Sequence, residues 1–226
     1  MTSLPVSAWK ILIMGGPMML PILLCSIFSM AIIVERWLYL FSSSTNTKQF
    51  KENILEQIKA DNVREAINLC ENSPLPLAQV LKAGILQFGA SREEVKAAIE
   101  EAALFETPKL EKKLTALLTI SHIAPLLGFL GTVIGIANVL FTIESRNNSL
   151  VPLTTGDLAG GIWQALVTTI AGLIVAIPTF LFYNFFVSRV NALVLEMERG
   201  AAELVNLLTQ LSEARISKKG GYRDEV

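Results

Sequence analysis

The chain has 226 residues, 52% hydrophobic and only 17% charged, with a formal net charge of −1. A water-soluble domain of this size carries about 25% charged residues, so the composition points away from one. The near-zero charge gives no footprint for binding nucleic acid.

The charges are bunched. Ile11–Val34, Leu114–Ile143 and Leu158–Ser188 hold no Asp, Glu, Lys or Arg. Each window exceeds the roughly 20 apolar residues that cross a bilayer as a helix. The first window is too long for the apolar core of a cleavable signal and has no small-x-small cleavage pattern after it. It runs into Glu35-Arg36-Trp37, an interfacial stop with an aromatic anchor. The expected fold is therefore all-α: a polytopic membrane protein with three transmembrane helices and long helical cytoplasmic extensions. Cys25 lies in the first span and Cys70 in the loop beyond it, so no disulfide framework or metal site is expected.

Lys and Arg distribution sets the expected orientation. Lys10 alone precedes the first span, and Arg146 alone separates the second from the third. Ten Lys and Arg residues crowd Ser42–Lys113, ending in Lys109, Lys112 and Lys113, and the tail adds Arg189, Arg199, Arg215, Lys218, Lys219 and Arg223. The resulting layout is 1–41, periplasmic N-terminus and first span; 42–113, helical cytoplasmic domain; 114–143, second span; 144–157, periplasmic loop; 158–188, third span; and 189–226, cytoplasmic helix and tail.

Within 42–113, Phe50, Ile54, Leu55 and Ile58 fall at helical spacing, as do Val63, Ala66, Ile67 and Cys70 after Asp61-Asn62. Ser73-Pro74-Leu75-Pro76 interrupts the pattern and Leu77–Phe88 resumes it. Ser91 with Glu94 has the form of a capping box. From there only Pro108 interrupts the helix, as a bend leading into the second span. The third span is expected to continue past Arg189 through Leu193, Met197, Ala201, Leu204 and Leu208.

On a helical wheel, Ser121, Ala124, Gly128, Gly131, Thr132, Gly135, Asn138 and Thr142 share one face of the second span. Gly161, Gln164, Ala165, Thr168, Gly172, Val175, Ala176, Thr179 and Tyr183 share one face of the third, with Thr169 on its edge. Polar groups are costly in lipid, so these faces must meet protein or water. Helix packing accounts for the small residues, and Thr hydroxyls can bond back to their own helix. Gln164 needs a partner for its amide. One chain has two such faces and cannot enclose a pore, which implies an oligomer or an added helix.

No span contains a carboxylate, so this chain offers no strong proton acceptor at membrane depth. His122 reads as a helix-end residue. Asp157, beside Thr154, Thr155 and Gly156, reads as an N-cap. No phosphate loop, metal-ligand cluster or nucleophile–base pair supports an enzyme, a cofactor or a metal.

Ala124-Pro125-Leu126-Leu127-Gly128-Phe129-Leu130-Gly131-Thr132-Val133-Ile134-Gly135 resembles the P-L-L-G-L-L-G-T-V-x-G segment of the MotA/TolQ/ExbB proton-channel family. Gly161-Ile162-Trp163-Gln164-Ala165-Leu166-Val167-Thr168-Thr169, with Gly172, Pro178 and Tyr183-Asn184, resembles its second segment, and Glu35-Arg36 fits as well. Three spans place the chain nearer ExbB or TolQ than the four-span MotA. The resemblance implies a homopentameric ring in the bacterial inner membrane, around the single helices of an ExbD- or TolR-like partner. An Asp on that partner would carry protons under the proton motive force, and a TonB- or TolA-like protein would receive the work. The family's pore-lining threonines fall on Thr132 and Thr169; with Gln164 and Thr168 they form the candidate pathway. Gly128, Gly131, Gly135, Gly172 and Pro178 are the candidate packing residues. Gln164 stands where the family often has Glu, and it cannot titrate. The alternative is a non-conducting scaffold of an envelope complex.

Overall fold

The computed structural model describes residues 15–44, 47–147 and 155–220. The described residues form seven α-helices and no strand: α1 (Met19–Ser44), α2 (Thr47–Lys59), α3 (Val63–Glu71), α4 (Pro76–Leu86), α5 (Arg92–Glu111), α6 (Leu114–Asn147) and α7 (Thr155–Gly220). Among them are three helical stretches long and apolar enough to cross a membrane. The chain divides into two units. One takes the chain up to Glu35 and Lys113–Phe185; the other takes Arg36–Lys112 and the chain from Phe186.

In the first unit, α1 buries Met19, Ile22, Ser29 and Ile33, spaced three, seven and four residues apart, while Leu20, Ile27, Phe28 and Met30 stay exposed. That is one inward stripe on an otherwise apolar helix, as expected of a helix whose outer face meets lipid. The helix starts later than the charge-free window suggests. Gly16, at φ +68, and Pro17 form a turn that starts α1 at Met19, through bonds from Met19 N–H to Gly16 O (3.1 Å) and Leu20 N–H to Pro17 O (3.3 Å). Lys10 and the first residues of the window lie outside the described residues. α1 continues through Glu35-Arg36-Trp37 to Ser44.

The second unit is built around α4. Pro76 takes the first helical position, where its missing N–H costs nothing. Leu77, Ala78, Val80, Leu81 and Ile85 are all buried. Gly84 leaves room for Ile99 of α5 and Leu204 of α7, and Gly200 sits against Leu77. Ile54 and Ile58 of α2 and Ala66 and Cys70 of α3 complete the core. The expected capping box is present: Ser91 N–H donates to Glu94 Oε2 (2.9 Å) and Glu94 N–H to Ser91 Oγ (3.3 Å). Hydrogen bonding from the Ser91 backbone, and then from its side chain, lowers the pKa of the Glu94 carboxyl. Lys51–Glu203 (2.8 Å) and Arg92 Nη2 to Asn206 Oδ1 (3.0 Å) fasten α7 at the rim. A groove of about 1090 Å³ opens between α5 and α7 over Ile99, Ala103, Met197 and Ala201.

Pro108 does not bend one helix into the next. It sits inside α5, and the chain breaks instead at Lys112 and Lys113. Lys113 adopts a left-handed conformation, φ 67, and its ammonium pairs with Glu35. Asp157 is not an N-cap: α7 starts at Thr155, which puts Asp157 in the first turn. Thr154 lies outside the described residues.

Burial pushes the Cys70 thiol up to about 11; Lys82 opposes the shift and Glu71 adds to it. The fold favours the protonated thiol. Its contribution to stability is intact below the ordinary thiol pKa of about 8.5 and is lost as the pH climbs through 11. In a Cys25→Ser background, Cys70 is expected to react with a maleimide at pH 8 about two orders of magnitude more slowly than a free thiol. Labelling at the free-thiol rate in the folded protein would contradict that environment.

Candidate functional site

The small-residue faces of α6 and α7 meet each other. A Cβ on Gly128 would lie 2.9 Å from Thr168 O and 3.0 Å from Thr169 Cα. One on Gly172 would lie 2.5 Å from Ala124 O, and one on Gly135 2.9 Å from Ala165 Cβ. Gly131 faces the Thr168 side chain, with Thr168 Cβ 2.6 Å from where its own Cβ would be. Backbone therefore touches backbone along this seam, and only glycine fits at these points. Ser121, Ala124, Ala165, Ala176 and Thr179 are buried with it. Leu126, Phe129, Val133, Trp163, Leu166, Ile170, Ile174 and Leu181 are exposed, as the apolar outer faces predict.

The four candidate pathway residues divide three ways. Thr168 is in the seam itself, 0% exposed, and its hydroxyl bonds to Ala165 O (2.8 Å) and Gln164 O (3.3 Å) of its own helix. The glycines opposite it let the helices close over its side chain.

Thr169 lies on one flank of the seam. Its hydroxyl donates to Gly128 O on α6 at 3.1 Å. In an α-helix that carbonyl also accepts the N–H four residues on, which here belongs to Thr132. The two threonines thus converge on one peptide carbonyl. Thr132 is half-buried, and its hydroxyl donates to Phe129 O at 2.6 Å.

Gln164 lies on the other flank. Five residues separate it from Thr169, a rotation of about 140° around the helix axis, with Ala165 and Thr168 between them facing α6. Its amide is next to Gly16 of the turn that leads into α1: a Cβ on Gly16 would lie 3.1 Å from Gln164 Cδ. A Cβ on the preceding Gly15 would lie 3.5 Å from Thr168 Cγ2. Gly15 and Gly16 fall outside the sequence-based expectation, although Gly-Gly-Pro is a recognisable turn signal.

Gly128, Gly131, Gly135 and Gly172 lie in the seam. Pro178 lies off it. It is exposed, on the outward side of α7 with Ile174 and Leu181, because its register turns it away from the seam. His122 is also exposed, away from the seam. Among the described residues no cluster of His, Cys, Asp or Glu could hold a metal ion.

Residues 72–199, more than half of the chain, match the MotA/TolQ/ExbB proton channel family. The chain belongs to that family. It is 33% identical over 194 residues to the ExbB-like 3 protein of Synechocystis sp., covering 84% of this chain and 91% of that relative. It is 29% identical over 215 residues to an ExbB homolog of Methanothermobacter thermautotrophicus, covering 94% of this chain and 73% of the relative. Against the biopolymer transport protein exbB1 of Vibrio cholerae it is 30% identical over 169 residues, 72% of each chain. With three membrane-capable helices, the chain is an ExbB-like multi-pass membrane protein of a transport family.

Gly128→Ala tests the seam. Its new methyl meets backbone atoms that cannot swing aside, so the helices must separate, at about 1–3 kcal/mol. Thermal unfolding in detergent is expected to shift down by several degrees, whereas Gly160→Ala, with nothing within 4 Å, is expected to shift little. Equal effects would contradict the packing.

Proposed function

We propose that this chain is the ring-forming subunit of a proton-driven motor in the bacterial inner membrane. An ExbD- or TolR-like single-span partner supplies the transmembrane Asp, and a TonB- or TolA-like protein receives the work. Several copies, five by the family's pattern, surround the partner helices. The N-terminus is periplasmic; 42–113 and the tail are cytoplasmic, a layout supported by the concentration of Lys and Arg there.

The observation that carries this reading is the Thr169 hydroxyl bonded to Gly128 O, the carbonyl whose helical partner is the Thr132 N–H, in spans without any carboxylate. Hydroxyls can accept and donate at once, so a threonine pair can orient water or a neighbouring acid without holding a charge. A proton needs a group that takes it up; no carboxylate stands in these windows, and His122 is exposed on the second span, away from the pair. The pair therefore serves as a wall past which a partner's carboxyl moves. The missing carboxylate also argues against a sodium site on this chain, since such hard cations favour oxygen ligands that include carboxylates.

The test reconstitutes the chain with its partner in vesicles and measures proton flux under an imposed gradient. Thr132→Val and Thr169→Val are expected to lower flux about fivefold or more, the worth of one hydrogen bond of about 1 kcal/mol. Thr169→Ser, which keeps the hydroxyl, is expected to retain it. Flux unchanged in both valine variants would contradict the reading and favour the non-conducting scaffold.

A further inference from the structure

Gln164 faces away from the threonine pair, which raises the question of what its amide does. Gly15–Val34, Leu114–Ile143 and Leu158–Ser188 contain no acidic or basic residue except His122, which is exposed on α6. The turn before α1 presents Gly15, Gly16, Pro17 and Met18, which have no polar side chain. Its polar groups are peptide groups, and the start of a helix always leaves N–H donors without intrahelical acceptors. A primary amide can both donate to and accept from such groups, whereas a carboxylate can only accept and a leucine can do neither.

The fit is close. Gly16 holds φ +68, and any side chain there would run into the Gln164 amide; Gly15 lies over the Thr168 methyl. Met19 is buried one turn on, which fixes the direction in which α1 leaves the turn.

We propose that Gln164 is a positioning residue for the first span: its amide beside Gly16 seats the leading turn of α1 on α7, on the side of the seam opposite Thr132 and Thr169. This inference rests on the channel reading above and takes this position out of the channel wall. Gln in place of the family's frequent Glu then follows from local chemistry, because a neutral amide suits an uncharged turn of peptide groups.

The experiment is a double-mutant cycle on the full chain, read by thermal unfolding in detergent, with a flux measurement beside it. Gly16→Ala is expected to lower the melting temperature through both backbone strain and collision with Gln164. The strain is common to both backgrounds and cancels in the cycle. Adding Gln164→Ala is therefore expected to restore a measurable share of the loss. Strictly additive losses would overturn the contact.

In partner-containing vesicles, Gln164→Glu is expected to leave the pH profile of proton flux superimposable on that of the parent chain. A new titration step in that profile would place residue 164 in the pathway and overturn the proposal. The unfolding cycle needs no flux, so failure of the channel reading and failure of this one are told apart.

Discussion

The approach of α6 and α7 is the constraint on which the first unit depends. Lipid tails are as apolar as leucine, so burying apolar surface gives these helices no reason to associate; close van der Waals packing and interhelical hydrogen bonds must do it. Glycine at 128, 131, 135 and 172 allows carbonyls and Cα atoms to touch across the seam. Once the backbones are that near, the Thr169 hydroxyl reaches Gly128 O. A single interhelical bond of this kind contributes only about 0.6 kcal/mol in a membrane. Its importance is positional, because it brings the Thr169 hydroxyl to the carbonyl that faces the Thr132 N–H along α6.

The same closure assigns sides to everything else. Thr168 is enclosed, Thr132 and Thr169 share one flank, and Gln164 is left on the other with the turn before α1. The charged residues at the ends of the windows are held in comparable ways. Glu35 pairs with Lys113, which holds the left-handed residue where α5 gives way to α6. Arg36, only 4% exposed, donates to Leu110 O at 3.4 Å and lies over the Tyr39 ring at 5.3 Å. A buried guanidinium needs such acceptors and faces, since leaving it unpaired would cost several kcal/mol.

Much of this was legible in the residues. Three long charge-free windows require helices, because lipid leaves backbone groups no other partner. The inward faces of α6 and α7 could be read from the small-residue stripe, and the capping box at Ser91 from its spacing. What stayed hidden depends on neighbours. A wheel treats one helix at a time, so Gln164 and Thr169 appeared to share a face although the seam separates them. Only the position of Gly15 and Gly16 shows what covers the Gln164 side. The break at Lys113 was equally hidden, since no glycine or proline marks it, and Pro108 drew attention five residues too early. The burial of Thr168 was hidden too, because the sequence does not show that three glycines pack against it.

The account's central claim is that this chain builds the wall and another chain brings the acid. The most direct measurement is proton flux into vesicles under an imposed pH gradient, comparing this chain alone, the chain with its single-span partner, and the chain with a partner whose transmembrane Asp is changed to Asn. The account predicts flux at the background of empty vesicles for the first and third, and flux well above it only for the second. Conduction by the chain alone, or with the Asn partner, would contradict it.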